Sequence, residues 1–391
     1  MLPLPSERLF SQNNMATEIK KVKTKSELKR FIRFNYEMYR DCPYSVPDLY
    51  EDMLSTFSAK KNPAFEFCEA EYFLAYQDGR IVGRVAAIVN HRANETWKKR
   101  AVRFGWIDFI DDEEVSRALL NTVAEWGRVR GMTEIEGPLG FTDMDAEGML
   151  VEGFEELSTM ATIYNFPYYP EHLTRLGFEK AADWVERKIF IPDAIPEKHL
   201  RIAEIVKKKY GLRIRKLKNK KEAYEGDTAR HIFELINDAF APLYGYSRMT
   251  NRQIDQYVKT FIPILDLRMV TIVEDAEGEI IATGISMPSM SRALQKAHGK
   301  LFPLGWWHLL SALKWKRDEM LDLLLVAVRP DFQGKGVNAL LFTDLIPVYQ
   351  KLGFRYAESN VELELNNKVQ SQWQYFENQE HKRRRCFRKE L

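Results

Sequence analysis

The segment from Leu323 to Leu341 constrains the fold more than any other part of the chain. It reads LLLVAVRPDFQGKGVNALL: an apolar run with strand character, then a glycine loop, then the start of a helix. Glycines let backbone amides approach an anion without side-chain obstruction, and the first turn of a helix adds unpaired N–H groups and partial positive charge. The order therefore predicts a loop that binds pyrophosphate, followed by a helix from about Val337.

Other nucleotide and catalytic motifs are missing from the sequence. There is no G-x-x-x-x-G-K-[ST] loop and no G-x-G-x-x-G fingerprint, and the seven histidines are too scattered for a Ser-His-Asp, Cys-His or HExxH arrangement. Cys42, Cys68 and Cys386 are few and far apart, which fits neither a disulfide framework nor a metal site. We therefore expect no metal and a reducing, cytoplasmic compartment.

The loop resembles the acyl-coenzyme A signature of the GNAT acetyltransferase superfamily. That signature is Gln or Arg, two residues, Gly, one residue, then Gly or Ala, and this chain supplies Gln333, Gly336 and, in place of the small residue, Asn338. The resemblance implies that acetyl-CoA or another acyl-CoA is the donor substrate. The residues that it implies for binding are Val326, Val328, Gln333, Gly334, Lys335, Gly336, Val337 and Asn338.

Two β-hairpins of the same plan lie about half a chain apart. The first is YFLAY-QDGR-IVGRVAAIV from Tyr72, with an Asp-Gly turn, and the second is VTIVE-DAEGE-IIATGISM from Val270. Each is preceded by a helical stretch and followed by a strand and an amphipathic helix. We therefore expect an α+β fold of two GNAT-like units in tandem, each with a mixed, mostly antiparallel sheet flanked by helices.

The predicted boundary lies in a stretch with two prolines, Pro192 and Pro196. It gives a disordered leader over residues 1–15, a first unit over 16–195 and an acyl-CoA-binding unit over 196–391. At the turn equivalent to the glycine loop, the first unit has Asp111 to Glu114, four successive carboxylates that would repel a pyrophosphate. We expect a degenerate first unit and one acyl-CoA per chain.

The resemblance also implies catalytic residues after the loop. A family tyrosine protonates the leaving thiolate and a family asparagine lies near the cofactor, which correspond here to Tyr375 and Asn366. A core-packing role for Tyr375 is the alternative. The general base is left open among Glu274, Glu319, Asp322 and a chain of water molecules.

The acceptor is expected between the halves. Residues 136–170 are rich in glycine, carboxylates and aromatics, so we expect Asp143, Asp145 and Glu147 to attract a cationic amine and Trp306 to cover its apolar part. An interdomain packing surface is the alternative for these loops. The expected acceptor is a small-molecule or peptide amine.

Charge and hydropathy limit the other partners. Lys and Arg outnumber Asp and Glu by only 58 to 56, which argues against nucleic acid. The basic run His381 to Arg385 is interpreted as a solvated strand end or a phosphate contact, and Leu301 to Trp315 is too short to cross a bilayer but could lie against one. The leading function is an N-acyltransferase, in the first instance for acetyl groups; a silent binding module and a Fem-like aminoacyl transferase are the alternatives.

Overall fold

The computed structural model describes residues 16–391, so the predicted leader over residues 1–15 lies outside the described residues. The first part of the chain contains β1 (Glu18–Lys21), α1 (Lys25–Met38), α2 (Tyr50–Thr56), β2 (Cys68–Gln77), β3 (Arg80–Asn90), α3 (His91–Trp97), β4 (Ala101–Phe109), α4 (Glu113–Val129), β5 (Glu134–Gly137), β6 (Met149–Glu152), α5 (Tyr168–Arg175) and β7 (Glu179–Phe190).

The second part follows a similar order. It contains α6 (Glu197–Tyr210), β8 (Arg213–Arg215), α7 (Lys220–Tyr224), α8 (Thr228–Phe240), α9 (Asn251–Phe261), β9 (Val270–Glu274), β10 (Ile280–Pro288), α10 (Ser291–Ala297), α11 (Gly305–Lys314), β11 (Met320–Val328), α12 (Asn338–Leu352), β12 (Tyr356–Ser359), β13 (Glu362–Leu363), α13 (Asn367–Gln370) and β14 (Asn378–Glu390).

Both predicted hairpins are confirmed as β2–β3 and β9–β10. In the first turn Asp78 and Gly79 both have positive φ, 48° and 75°, as a two-residue hairpin turn with the twist of its strands requires. Asp tolerates that conformation better than most residues, and glycine adopts it freely. The sequence pair therefore sets the register of β2 against β3.

The described strands form one 14-stranded sheet in the order β1-β2-β3-β4-β5-β14-β7-β12-β11-β10-β9-β8, with β6 beside β14 and β13 beside β7. Pairing is antiparallel except between β4 and β5 and between β11 and β12. Helices α4 and α12 make the two corresponding crossovers. The same plan thus occurs twice, which confirms the α+β tandem prediction.

Strands of the two halves pair with one another where the halves meet. β14 pairs with β5 of the first half and along most of its length with β7, while β7 also pairs with β12 of the second half. The predicted boundary at residue 195 falls between β7 and α6, and the sheet runs across it. The boundary itself stays a prediction.

The basic run in β14 is not a solvated strand end, and that interpretation is corrected. Lys382 and Arg384 are fully buried and share Glu186 of β7, at 3.1 Å from Lys382 Nζ and 2.5 Å from Arg384 Nε. Arg385, on the other face, donates to Asp183 at 2.8 Å. Because side chains alternate along a strand, one basic run supplies ion pairs to both faces of the sheet.

Local sequence shapes the end of the second half. α12 continues through Pro347 to Leu352, because proline removes only one helical hydrogen bond and Leu345, Ile346 and Tyr349 on either side of it are buried in the core. The strand β13 is only two residues long, and just before it the Asn360 side chain binds the Val361 N–H and the Leu324 carbonyl. Gly353 ends α12 at φ 82°.

Candidate active site

A cavity of about 1380 Å³ opens where β11 and β12 part. The parallel pairing of these strands ends at Leu323 and Ser359, although β11 continues to Val328. Asn360 spans the gap beyond that point, because its side-chain amide donates to the Leu324 carbonyl at 3.0 Å. The unpaired backbone of β11 therefore faces a space large enough for an extended ligand.

The glycine loop forms one end of this cavity. Gly334 and Gly336 have φ of 75° and 83°, and Gln333 folds back to donate from its amide to the Val328 carbonyl at 3.2 Å. The helix α12 that follows has no side-chain N-cap, so its first N–H groups are free of side-chain partners. This arrangement can bind an anionic group at the loop.

The two glycines serve different purposes. A Cβ atom at Gly334 would meet nothing within 4 Å, whereas one at Gly336 would lie 2.8 Å from the Ile202 side chain of α6. Gly336 therefore permits the close packing of α6, whereas Gly334 has free space around its Cβ position. Of the residues predicted to bind acyl-CoA, the cavity lining contains Val326, Val328, Gln333, Gly334, Gly336, Val337 and Asn338.

Lys335 is placed differently from the rest of the loop. Its ammonium group lies over the rings of Tyr210 and Phe332, at 5.3 and 4.9 Å from their centroids, and it is not part of the cavity lining. Its predicted contact with the ligand stays a prediction.

The equivalent turn of the first half is filled by its own carboxylates. Asp112 caps α4 by accepting from the Glu114 N–H at 2.8 Å, Asp111 contacts His172 at 3.0 Å, and Glu113 accepts from Arg175 at 2.9 Å. These groups occupy the helix end that corresponds to the glycine loop of the second half. The expectation of one acyl-CoA per chain stays a prediction.

Tyr375 and Asn366 both line the cavity. The Tyr375 ring is partly exposed, and its hydroxyl accepts from Lys198 Nζ at 2.6 Å. Asn366 caps α13 with its side-chain oxygen. The structure brings both residues to the edge of the site, and their catalytic roles stay predictions.

Three carboxyl groups of the 141–147 loop also line the cavity. Burial raises the pKa of Asp143 and of Asp145 to about 6 and raises the pKa of Glu147 well above its ordinary value, with the charge of Asp143 adding to the effect. Asp143 accepts from the Ser247 N–H and Asp145 from the Thr142 N–H, each at 2.9 Å. These two carboxylates hold loops in place, which leaves Glu147 as the acid that is best suited to meet a ligand.

The three candidate bases differ in their burial and in their partners. Glu274 is paired with Arg213 and Arg215, and Glu319 is exposed beside Arg355. Asp322 of β11 is buried, and neither of its carboxylate oxygens has a hydrogen-bond partner among the described residues. Burial, with repulsion from Glu358, raises the pKa of Asp322 to about 7. A buried acid with this pKa is suited to proton transfer. Asp322 is not part of the cavity lining, however, so it could reach a ligand there only through water, and its role as the base stays a prediction.

Trp306 does not lie at the cavity. It is on α11 with 45% of its surface exposed and is not among the lining residues. Instead, the lining has an apolar section between α8, α9 and the sheet that the sequence reasoning missed. The hydrophobic face of α8 was the available signal, but it is equally typical of an ordinary core helix. This section includes Ile232, Phe233, Phe240, Phe261, Leu265 and Ile285.

No family model matches the chain. Two relatives cover most of it: "Bacterial ceramide synthase" of Caulobacter vibrioides, 29% identical over 83% of both proteins, and "Protein YghO" of Escherichia coli K12, 27% identical over 94% of both.

Solved structures of GNAT proteins share the fold. A tandem GNAT protein from the clavulanic acid biosynthesis pathway matches 96% of this chain and 98% of its own, with a TM-score of 0.54 at 13% identity. A GCN5-related N-acetyltransferase from Sphaerobacter thermophilus matches 96% of each chain, with a TM-score of 0.50 at 12% identity. The chain therefore has the fold of two GNAT units in tandem.

Among residues 16–391, the structure contains no helix with the length and apolar character needed to cross a membrane.

Proposed function

We propose that the protein is an acyl-CoA-dependent N-acyltransferase whose acceptor is a long-chain amine, such as a long-chain amino alcohol. The observation that carries the proposal is the continuity of one cavity from the glycine loop to the Glu147 carboxyl group and the apolar section beside α8. Its volume of about 1380 Å³ exceeds the roughly 300–1,000 Å³ usual for small-molecule sites. A site of this size suits a reactant with a long apolar chain.

The similarity to a protein named bacterial ceramide synthase supports the same chemistry. A ceramide is the amide of a fatty acid and a long-chain amino alcohol, so its formation is an N-acylation. The proposal extends the acetyl-transfer expectation from the sequence toward longer acyl groups.

Different residues of the chain would carry out different steps of the reaction. The loop from Gln333 to Asn338 would hold the pyrophosphate, and the gap between β11 and β12 would hold the arm that carries the thioester. Acyl-CoA supplies an activated acyl group: the amine nitrogen bonds to the carbonyl carbon, the C–S bond breaks, and the amine proton leaves. Glu147 would orient the amine, and Asp322, which lies next to the lining residue Leu323 but outside the lining, would accept the proton through water.

We expect the purified protein to release coenzyme A from a long-chain acyl-CoA only when a long-chain amino alcohol is present, with formation of the amide. Glu147→Gln should raise KM for the amine at least 10-fold, a loss of about 1.4 kcal/mol, because an ammonium group bound beside Glu147 would lower its raised pKa and ionise it, whereas an amide gains no charge. The Kd of coenzyme A, measured by calorimetry, should not change.

The matched control is Glu152→Gln, an exposed carboxylate outside the cavity lining, which should behave as the parent protein. Acyl-CoA binding without thiol release, with any of a series of long-chain and short amines, would instead indicate a silent binding module.

The pH dependence of kcat tests the role of Asp322. A base must be ionised to accept a proton, so kcat should rise with pH through the pKa of about 7. In Asp322→Asn this rise should disappear and kcat should fall about 100-fold or more. A variant with an unchanged profile would rule out Asp322 as the base.

A further inference from the structure

The structure exposes a group of large apolar side chains around the start and the end of α11. We call it the tryptophan patch. Its contiguity is visible in the rings, since Trp307 lies 5.9 Å from Trp306 and 5.7 Å from Trp315 between centroids. A soluble surface seldom exposes so many large apolar groups together. The members and their exposed fractions are Phe302 (74%), Leu304 (64%), Trp306 (45%), Trp307 (49%) and Trp315 (61%).

The patch is presented by a fixed element. The inner face of α11 packs through Leu309, Ala312 and Leu313 into a core cluster with β10 and α10. The preceding turn closes tightly on the helix, because a Cβ atom at Gly305 would lie 1.7 Å from the Lys300 carbonyl oxygen. Since its inner face is already buried, α11 cannot hide the tryptophans by rotating.

The surroundings of the patch are positively charged. The sequence from Ser291 to Arg317 contains no Asp or Glu. In that stretch Arg292 is paired with Asp318 and Arg317 lies near Asp266. In the described part of the chain no acidic group lies within salt-bridge distance of Lys296, Lys300, Lys314 or Lys316.

We propose that the tryptophan patch docks the protein on the surface of an anionic lipid bilayer. Tryptophan favours the boundary between hydrocarbon and water, and neighbouring lysines add attraction to anionic headgroups. A second copy of the chain is the poorer occupant, because a symmetric contact would bring like-charged rims together. This inference concerns binding to a surface and goes beyond the proposed acyl transfer.

Helix α11 packs near the wall of the cavity, which connects docking with substrate access. Leu309 and Leu313 pack in the same cluster as Met160 and Leu324, and both of these residues also line the cavity. The inner face of α11 and part of the cavity wall therefore share one packed cluster. Docking there would bring the cavity close to apolar substrates that reside in a bilayer.

Cosedimentation of the full chain with vesicles tests the proposal. We expect binding to phosphatidylcholine vesicles that contain phosphatidylglycerol to be at least 10-fold tighter than to phosphatidylcholine alone, and to weaken with salt. The double variant Trp307→Ser/Trp315→Ser and the double variant Lys314→Gln/Lys316→Gln should each weaken binding at least 10-fold. The control is Lys207→Gln/Lys208→Gln on α6, which removes two exposed lysines remote in sequence from the patch.

Three results would overturn the proposal: no binding to anionic vesicles, equal binding by the patch variants, or a dimer in sedimentation equilibrium that the patch variants dissociate. Acyl transfer to an acceptor dispersed in detergent should be unchanged in Trp307→Ser/Trp315→Ser. Loss of vesicle binding with that activity retained would separate docking from the proposed reaction.

Discussion

Gly334→Asp should weaken coenzyme A binding about 100-fold, which corresponds to about 2.7 kcal/mol. The site has room for the side chain, because a Cβ atom at Gly334 meets nothing within 4 Å. A carboxylate there would stand beside the start of α12 and would repel the pyrophosphate. Calorimetric titration with coenzyme A measures the change in Kd.

The matched control is Gly334→Asn, which has the same shape without the charge. Asn and Asp are the two residues that best tolerate the φ of 75° at this position. Both variants should therefore lose the same small amount of stability, and Asn should weaken binding less than 10-fold. An equal loss of affinity in both would mean that backbone strain, not charge at the loop, is responsible.

Gly336 is unsuited to this test. A Cβ atom at Gly336 would collide with the Ile202 side chain, so any substitution would also disturb the packing of α6 against the loop.

Glu186→Gln should destabilise the fold by about 3–5 kcal/mol, because it leaves two buried cations without their shared carboxylate. Lys382, Arg384 and Glu186 are all fully buried where β7 meets β14. Lys382 keeps Glu358 at 3.0 Å, but Arg384 keeps only the Ile163 carbonyl among the residues that the structure describes. Urea unfolding monitored by circular dichroism gives the change in the free energy of unfolding.

The same carboxylate should govern stability in acid. Burial alone would raise the pKa of Glu186, but Arg384 and Lys382 outweigh burial and lower the pKa to about 2. A depressed pKa gives stability that is complete above the unfolded value of about 4.3 and is lost as the pH falls toward 2. The Glu186→Gln variant should lack this part of the acid transition.

Two comparisons make the result specific. Glu152→Gln removes an exposed partner of Arg383 and should cost less than about 1 kcal/mol. Adding Arg384→Met to Glu186→Gln should restore part of the lost stability, since the buried unpaired guanidinium is then gone. Additive losses in the double variant would contradict the proposed coupling.

The local plan of the fold could be predicted from the sequence. Hairpins such as Asp78-Gly79 and helix ends such as Gly353 depend on the backbone preferences of a few residues, which a single sequence displays directly. The pairing of β7 and β14 with strands of the other half could not be predicted. It depends on which distant strand reaches an edge, and the basic run of β14 is compatible with a solvated strand until its partners Glu186 and Asp183 are known.

The same difference between local motifs and long-range contacts applies to the site. The loop from Gln333 to Asn338 is a contiguous motif, and its place at the cavity follows from the strand, loop and helix order. Asp322 was only one of three candidate bases in the sequence, because its burial and its lack of hydrogen bonds arise from neighbours on other strands. Trp306 was assigned to the acceptor by composition, yet the inner face of α11 holds aliphatic side chains and leaves the tryptophans outside.

The position of β14 has a consequence for how the protein is made. β5 has β14 as its neighbour on one side, and β14 comes after every other strand in the chain. As the protein emerges from the ribosome, the first half must therefore keep an open sheet edge until residues 378–390 are released. Such an edge can pair with other chains, so chaperone demand during synthesis should be high for this fold. Moving the coding segment for β14 to follow β5 in a permuted gene would let the first sheet close early.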